Sequence, residues 1–414
     1  MTGSLIKLHA LTKHNRYLIT SNPEMDSFKG VFKRSNNYSF EYINIECNGT
    51  KYFGQKLTFT IPKKAHFVQE TILRIKLPAL TLPSGSTYIN WTNSLGHALI
   101  DKIELSIGDY IVDTQDGLFY EILDELTNIK NYQKTNSLIR KFESPVLLTT
   151  STSTNEEYLY IPLKFWYTES LSNALPLYLL NYHSIKINVY LKEFQDCVIY
   201  DGVVTPDEKE LISVDLTCKF IYLDNEELQL INNFVKQEND ARTFIITQTQ
   251  SFKAIDNISS NKDITMNLNS LNHPVLELLL VFIEQDSIEN NDYFNFGQRI
   301  LTPYTDKVPL IKTLKFDIDG NQLFYDQDES FYRKVLQYNH HSKVSDKLIY
   351  TIPFSQEPEN YSKYTGSLNF SAIDQPLLYI KAENGISLSF PFIYAINYNI
   401  ATIKNGLFGI QFLC

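Results

Sequence analysis

Five carboxylates stand close together just beyond the first quarter of the chain: Asp113, Asp116, Glu121, Asp124 and Glu125. Side chains of this type at this spacing could coordinate a divalent cation or act as a general acid and base. The D-x-D/N-x-D/N-G pattern of a calcium loop is absent, however, and Asp116 stands where it would cap a helix. We therefore expect a capped helix with a solvated acidic face rather than a metal or acid–base site.

The histidines and one cysteine give weak signals for a metal site or a nucleophile. His340 and His341 are adjacent, and neighbouring side chains on a strand point to opposite faces, so the pair could not readily share one ion. His273 stands directly before an apolar run and indicates the start of a strand. Cys218 falls in the inward-facing series of another strand, which is typical of a small core residue rather than a nucleophile.

Motifs that would identify an enzyme are absent. The chain contains no GxSxG, GxxxxGKS/T or HExxH. Its four cysteines, Cys47, Cys197, Cys218 and Cys414, form no CxxC pair. This argues against a disulfide framework or a thiolate zinc site and favours a reducing compartment. We predict no catalytic, cofactor-binding or metal-binding residues, and no enzymatic activity.

The composition indicates a globular, β-rich chain. Of 414 residues, 43% are hydrophobic and 20% are charged, and the 27 Tyr and 26 Phe favour the half-buried surfaces of sheets. A net charge of −10 argues against a protein that coats nucleic-acid phosphates. The N-terminal stretch lacks the long apolar segment of a signal peptide, and the apolar run 275–283 is too short to cross a bilayer.

Period-two alternation of apolar residues predicts most of the elements. It is clearest in four segments, whose alternate residues would face one side of a strand: 57–61, 103–107, 185–189 and 214–222. Helical periodicity is rarer, and it predicts three helices: 117–131, 225–235 and about 328–338.

A weak internal repeat spans the chain. Residues 101–123 and 312–336 both read as a strand, a Gly-containing turn, a loop with Asp and Gln and an amphipathic helix, at an offset of 312 − 101 = 211. HFVQETILRI at 66–75 resembles HPVLELLLVF at 273–282, at an offset of 273 − 66 = 207, and an Ile-Pro pair recurs further on in both halves. The shared order predicts a duplicated β-rich unit of ~200 residues, joined near the 225–235 helix. Such a unit could be a sandwich, a barrel or a jelly roll.

Several stretches resemble one family, in the same order along the chain. They include YLITSNPEMDSFKGVFKRSNNYSFE (17–41), LGHALIDKIELSIGDYIVDTQDGLFYEILDELT (95–127) and YTGSLNFSAIDQPLL (364–378). These stretches are similar to the double jelly-roll major capsid proteins of nucleocytoplasmic large DNA viruses. The resemblance extends from about Leu8 to Phe412, which is nearly the whole chain.

The resemblance implies a mainly all-β fold of two tandem eight-stranded jelly rolls, with short helices in the loops and a linker helix. We expect an N-terminal arm at 1–30, a first jelly roll at 31–224, a linker helix at 225–240 and a second jelly roll at 241–414.

In this fold the stretch 364–378 is a corner of the second jelly roll rather than the edge of an active site. Gly366 would permit a tight turn, while Asn369 and Asp374 would satisfy loop amides. Three apolar side chains would pack inward: Leu368, Phe370 and Ile373.

The resemblance also implies a structural viral capsid protein. It would form homotrimers of pseudo-hexagonal outline that tile an icosahedral shell, in a virion capsid assembled in the cytoplasm of the infected host cell. The expected partners are further copies of the chain, minor capsid and penton proteins and, through the arm, an inner membrane; neither a cofactor nor direct nucleic-acid binding is expected. The arm residues expected to order on assembly are Leu5, Leu8, Leu11, Tyr17, Pro23 and Phe28.

Two alternatives stay open. A carbohydrate-binding tandem β-sandwich would need exposed aromatic side chains along a groove, which the tyrosine count permits. A minor or scaffolding capsid paralogue would have the same fold without being the principal protein of the shell.

Overall fold

The computed structural model describes residues 37–127, 132–142, 148–149, 152–237, 241–253, 257–259, 262–298, 308–324, 327–360, 363–386 and 388–412. The expected arm, with all six of its named residues, lies outside these ranges. Ser39–Cys414 form one compact unit, distinct from Met1–Tyr38.

The first half of the described chain consists mainly of strands. They are β1 (Tyr38–Glu46), β2 (Lys56–Ile61), β3 (Phe67–Leu77), β4 (Ile89–Trp91), β5 (Ile100–Ile107), β6 (Tyr110–Gln115), β7 (Glu157–Pro162), β8 (Leu175–Pro176), β9 (Ile185–Leu191), β10 (Val198–Tyr200) and β11 (Ser213–Leu223). The helices are α1 (Leu95–Ala98), α2 (Gly117–Leu126) and α3 (Tyr132–Ile139), with 3₁₀ turns at Trp166–Thr168, Leu171–Asn173, Leu177–Leu179 and Gln195–Cys197.

The second half begins with a helix and is again mainly strands. The helices are α4 (Asn225–Gln237), α5 (Gln285–Glu289) and α6 (Leu336–His340), with a π-helical turn at Phe331–Val335 and a 3₁₀ turn at Phe370–Ala372. The strands are β12 (Ala241–Lys253), β13 (Asp263–Asn267), β14 (Pro274–Glu284), β15 (Ile311–Ile318), β16 (Asn321–Gln322), β17 (Tyr350–Pro353), β18 (Leu368–Asn369), β19 (Pro376–Ala382), β20 (Ser389–Lys404) and β21 (Leu407–Ile410).

The two halves share one strand order. In the first half the sheets run β1-β11-β3-β7, with β8 on β3, and β2-β9-β5-β6. In the second half they run β12-β20-β14-β17, with β18 on β14, and β13-β19-β15-β16. Each half thus contains eight principal strands in two four-stranded sheets, as expected of a jelly roll. The internal repeat predicted from the sequence is confirmed.

The register supports the same equivalence. Leu73 of β3 lies opposite Ile161 of β7, and Leu278 of β14 lies opposite Ile352 of β17. These are the two Ile-Pro segments that the sequence comparison aligns. The expected His273 strand entry is also confirmed, since β14 begins at Pro274.

Each half has an apolar core, and the predicted alternation accounts for much of the first. The inward series of β2, β5 and β9 is fully buried, and that of β11 is buried from Val214 to Phe220. Cys218 belongs to this core, as expected. None of the described helices has the length and apolarity needed to cross a membrane.

Two of the predicted helices differ in detail. The pattern predicts a helix over 117–131, but α2 ends at Leu126, where the Thr127 hydroxyl donates to the Leu123 carbonyl at 2.6 Å. The short helix α3 follows, which the sequence pattern does not predict. The helix expected at 328–338 is present, with a π-helical first part and α6 as its second. Helix α4 lies where a helix is predicted.

The stretch 364–378 is a structural corner. Gly366 adopts a φ of 125°, which favours glycine, and the Asn369 side chain accepts a hydrogen bond from the Ser371 amide. Phe370 is buried, while Leu368 and Ile373 are half-buried against the same core. The Gln375 amide donates to Asp319 at 2.7 Å, so the carboxylate that serves this loop comes from the β15–β16 turn rather than from Asp374.

Candidate functional site

The acidic face of α2 is buried, so the expectation of a solvated face is wrong. Glu121 is 0% exposed and Glu125 is 2% exposed, and Asp113 and Asp124 are buried as well. Asp116 does cap the helix, as expected, by accepting a hydrogen bond from the Phe119 amide at 2.8 Å. The face is buried because α2 lies between the two jelly rolls.

Lysine side chains neutralise these carboxylates. From the first half, Lys141 places its Nζ 2.9 Å from Glu121 Oε1, 2.8 Å from Glu125 Oε1 and 3.4 Å from Asp124 Oδ2. The His97 ring nitrogen Nδ1 lies 2.7 Å from the other Glu121 oxygen. The carboxylates on this face of α2 therefore contact the Lys141 ammonium group and the His97 ring, and these groups are buried.

The second half supplies two more lysines. Lys343 Nζ lies 3.3 Å from Glu125 Oε2, and Lys347 contacts both Glu121 and Glu125. We call the six residues Glu121, Asp124, Glu125, Lys141, Lys343 and Lys347 the buried charge cluster. The charges of its three carboxylates and three ammonium groups cancel. Its members come from both halves of the chain.

The electrostatics keep this cluster ionised. Burial alone would raise the pKa of Glu121, but Lys347, Lys141 and His97 outweigh it and hold that pKa well below its usual range. The same balance of burial against the two lysines lowers the pKa of Glu125 to about 2. A carboxylate this acidic is a poor general base at neutral pH, because it stays ionised and already paired. The cluster therefore acts as a structural link.

A second set of polar contacts joins β6 to the other half. The Thr249 amide donates to the Asp113 carboxylate at 2.8 Å, and Gln248 Nε2 donates to the Val112 carbonyl at 2.5 Å. Burial raises the pKa of Asp113 to about 7, although the N–H groups that donate to it oppose the rise. Nearby, the Tyr394 hydroxyl lies 2.8 and 2.9 Å from the two carboxylate oxygens of Asp116.

Apolar packing across this boundary is reciprocal. Side chains of α2, among them Phe119, Ile122 and Leu126, belong to the core of the second half. In return, Ile246 of β12 and Phe408 of β21 belong to the core of the first half. We refer to the buried charge cluster, the β6–β12 contacts and this packing together as the seam. Because each core includes side chains from the other half, the two halves cannot move apart without exposing both cores.

The histidine pair lies at a helix end, so the expectation of a strand there is wrong. His340 is the last residue of α6 and His341 follows it in an extended conformation. His341 is buried, with Nε2 3.0 Å from Glu277 and Nδ1 3.2 Å from Glu359. Burial opposes its protonation, but these two carboxylates raise the pKa of His341 to about 9. His341 is thus a cation in an ion-paired group, and in that state it offers no lone pair to a metal.

Cys218 and a cavity beside His340 are two further candidate sites. Burial raises the pKa of Cys218 to about 12, which suppresses the reactive thiolate. No group of three or more His, Cys, Asp or Glu side chains suited to a metal ion occurs within the described ranges. A cavity of about 440 Å³ is lined by Glu169, Ser170, His340, Ser342, Glu357, Glu359 and Asn360, with no Phe, Trp or Tyr among them.

Comparisons with known proteins match this chain to major capsid proteins of viruses. Residues 26–235 match the family model for the major capsid protein N-terminus, and residues 236–409 match the model for the large eukaryotic DNA virus major capsid protein. The major capsid protein of Phaeocystis pouchetii virus is 24% identical, with 100% of each chain covered. Among solved structures, VP54 of PBCV-1 superimposes with a TM-score of 0.77 at 20% identity, covering 94% of this chain and 100% of that one. The Faustovirus major capsid protein gives a TM-score of 0.76 at 12% identity, covering 98% and 99%.

Proposed function

Since this chain belongs to the family of major capsid proteins of large eukaryotic DNA viruses, we propose that it builds the shell as a homotrimer of pseudo-hexagonal outline. Three chains contribute six jelly rolls, and six similar wedges in a ring can tile the faces of an icosahedron. The protein is a structural component of the virion capsid.

The observation that carries this proposal is the seam. Two jelly rolls of one strand order are joined by buried ion pairs and by reciprocal core packing. A rigid pair of similar rolls is what a trimer needs in order to present six similar sides. Cyclic symmetry makes the contacts between chains heterologous, with the first roll of one chain against the second roll of the next. Permanent contacts of this kind bury on the order of 2,000 Å² or more.

The domain boundaries follow from the same proposal. We assign an arm to 1–30, the first jelly roll to 31–224, the linker helix to 225–240 and the second jelly roll to 241–414. In support, α4 occupies the junction and the two family models meet within it, between residues 235 and 236.

The arm is proposed to order on assembly. Its apolar residues Leu5, Leu8 and Leu11 are interspersed with basic Lys7 and Lys13. That pattern suits contact with neighbouring capsomers, with minor capsid or penton proteins, or with an anionic inner membrane. The net charge of −10 for the whole chain supports a shell that does not bind the genome directly. Assembly is proposed to take place in the host cytoplasm.

A catalytic role is not proposed. Glu121, Glu125 and His341 are each held in one protonation state near neutral pH by buried partners, which suits cohesion rather than proton transfer. Among the described residues that line the cavity beside His340 there is no Phe, Trp or Tyr, so this cavity does not support the carbohydrate-binding alternative. Abundance in purified particles separates a principal shell protein from a minor or scaffolding paralogue.

The test is the mass of the full chain in solution by size exclusion with light scattering. The expected species has three times the 48.0 kDa mass of one chain. A well-folded chain that stays at 48.0 kDa at high concentration would contradict the proposal. Co-expression with a viral chaperone is the remedy if the chain fails to fold.

A further inference from the structure

One carboxylate in the seam has only neutral hydrogen-bond donors around it. Asp113 of β6 is 4% exposed and faces β12 of the other half. It accepts hydrogen bonds from the Thr249 amide at 2.8 Å, the Thr114 amide at 3.0 Å and Gln115 Nε2 at 2.7 Å. In the described part of the chain, no lysine, arginine or histidine forms an ion pair with it. Neutral N–H groups compensate only in part for the desolvation of a carboxylate, so ionisation of Asp113 is costly.

The neighbouring strands present uncharged side chains to Asp113. Leu105 lies opposite it on β5. From the second half, Gln248 and Gln250 of β12 and Asn397 of β20 line the same cavity as Asp113. These amides and this apolar side chain do not titrate, so they supply no charge that would balance an ionised Asp113.

The titratable groups of α2 and of the loops beside it do not balance that charge either. Burial and, to a smaller extent, the negative charges of Asp113 and Asp116 raise the pKa of Tyr120. Tyr120 is therefore neutral near pH 7, and Asp116 is a like charge. Burial lowers the pKa of Lys164, and the carboxylates that oppose this shift include Asp124 but not Asp113.

A small cavity gives water a route to the carboxylate. It has a volume of about 130 Å³ and lies between β6 and β12, with Asp113 in its wall. Ile111, also in the wall, is 56% exposed, so the cavity reaches the surface. The volume is larger than a single water molecule needs, and the polar side chains around it can bind water. A small displacement of β12 from β6 would therefore hydrate Asp113 without unfolding either half.

The buried charge cluster behaves differently. Although Glu121 and Glu125 are buried, Lys347 and Lys141 hold the pKa of Glu121 well below its usual range and lower that of Glu125 to about 2. Both carboxylates stay ionised and paired in mildly acid and in mildly alkaline solution. The seam thus contains one level whose charges cancel and one level, at Asp113, where a single proton decides the charge.

We propose that Asp113 is a proton-controlled latch between the two jelly rolls. While its carboxyl group is protonated, β12 stays packed against β6. When the proton leaves to solvent, the β6–β12 contact opens and hydrates the carboxylate, while the buried charge cluster keeps the two jelly rolls joined. The latch is a property of the single chain and does not rest on the proposed trimer.

The titration of Asp113 sets the size of the effect. Burial raises the pKa of Asp113 to about 7 in the closed seam, whereas a hydrated carboxyl group titrates near its ordinary value of 3.8. Because the opened state releases its proton at a lower pH, the equilibrium constant for opening rises with pH between these two values and is constant above the higher one. These two values give an increase of roughly a hundredfold between pH 5 and pH 8.

Hydrogen exchange of the full chain, followed by mass spectrometry, measures this constant. Labelling is carried out from pH 5 to pH 8, with times corrected for the intrinsic pH dependence of amide exchange. The reporter peptides cover β12, where the Thr249 amide donates to Asp113. Their corrected exchange should rise roughly a hundredfold between pH 5 and pH 8, while peptides from β14 stay protected at both pH values.

Two variants assign the effect to Asp113. Asp113→Asn keeps the shape of the side chain and a carbonyl acceptor but does not ionise, so its corrected exchange should be the same at pH 5 and pH 8. The matched control is Asp109→Asn, which removes an exposed carboxylate from the turn of the same β5–β6 hairpin. It should keep the pH dependence of the wild type.

Each other result overturns the latch. A wild-type chain whose corrected β12 exchange is the same at pH 5 and pH 8 overturns it without any variant, so the test does not depend on the folding of Asp113→Asn. An equal rise in the β14 peptides would show that the second half unfolds as a whole instead of opening at the seam. A rise that persists in Asp113→Asn would assign the pH dependence to another group.

Discussion

Replacing Glu121 by glutamine perturbs the seam at its most buried charge. The change keeps the shape of the side chain but removes the charge that Lys141 and Lys347 share, so the buried charge cluster acquires a net charge of +1. Removing one partner of a buried ion pair costs about 3–5 kcal/mol. Unfolding entropy is about 2.1 cal/mol/K per residue, or roughly 0.9 kcal/mol/K for a chain of this length, so the melting temperature should fall by about 3–6 °C.

Differential scanning calorimetry at neutral pH measures this effect. The matched control is Lys76→Gln, which removes a surface ion pair with Glu156 whose side chains are 25% and 54% exposed, and it should leave the melting temperature unchanged within error. Adding Lys141→Met to Glu121→Gln restores charge balance and should recover part of the loss. The reasoning is refuted if Glu121→Gln lowers the melting temperature no more than Lys76→Gln does.

The pH dependence of that loss has a defined sign. The pKa of Glu121 is depressed in the folded chain, so the stability that it contributes is complete above the usual pKa of glutamate and disappears as the pH falls through the folded value. The difference between wild type and Glu121→Gln should therefore be constant near neutrality and shrink as the pH falls below the usual pKa of glutamate. A difference that grows on acidification would contradict a carboxylate held ionised by its lysines.

Three further predictions concern buried titrating groups. Because burial raises the pKa of Asp113 to about 7, the folded chain is destabilised as the pH rises from about 4 to 7, and Asp113→Asn should melt higher than wild type at pH 8 but not at pH 5 in calorimetry. The pKa of His341 is raised to about 9, so its contribution is complete below about 6.5 and lost above 9; His341→Gln should lower the melting temperature at pH 6 and have little effect at pH 10. Burial raises the pKa of Cys197 and Cys218 to about 12, so both should resist a thiol reagent such as dithionitrobenzoate in the native chain and react only after unfolding, as mass spectrometry of labelled peptides would show.

The sheets were accessible from the sequence because their signal is local. Alternation along β2 or β9 is visible within six or seven residues, and it places the inward side chains without knowledge of the rest of the chain. The duplication was visible for a related reason, since the strand–turn–helix order of 101–123 recurs at 312–336 in both sequence and structure. The strand order of each half depends on pairings between strands far apart in the chain, so no local pattern predicts it and only the resemblance implies it.

The burial of α2 was not accessible in this way. Its carboxylates look like a solvated face, because the lysines that neutralise Glu121 and Glu125 from the second half are 226 and 218 residues away. No periodicity links residues at that separation. A usable signal was nevertheless present. Phe119, Ile122 and Leu126 form one apolar stripe, and Tyr120 lies about 100° around the helix from Phe119, outside that stripe, which indicates a helix packed on more than one side.

The π-helical turn and the position of His341 were also beyond local reasoning. An amphipathic pattern predicts a helix at 328–338 but does not distinguish α from π geometry. His341 is fixed by Glu277 on β14 and by Glu359 in a later loop, so its role depends on two contacts that only the folded chain creates.

The central claim is that three chains present six similar jelly rolls in one ring. Electron-microscopic averages of the purified oligomer, viewed down its axis, test it most directly. The predicted projection is a hexagonal outline with six lobes, in which three-fold symmetry relates every second lobe. The particle should have three times the 48.0 kDa mass of one chain. A ring with a number of lobes other than six, or a particle with two lobes and no ring, would contradict the account.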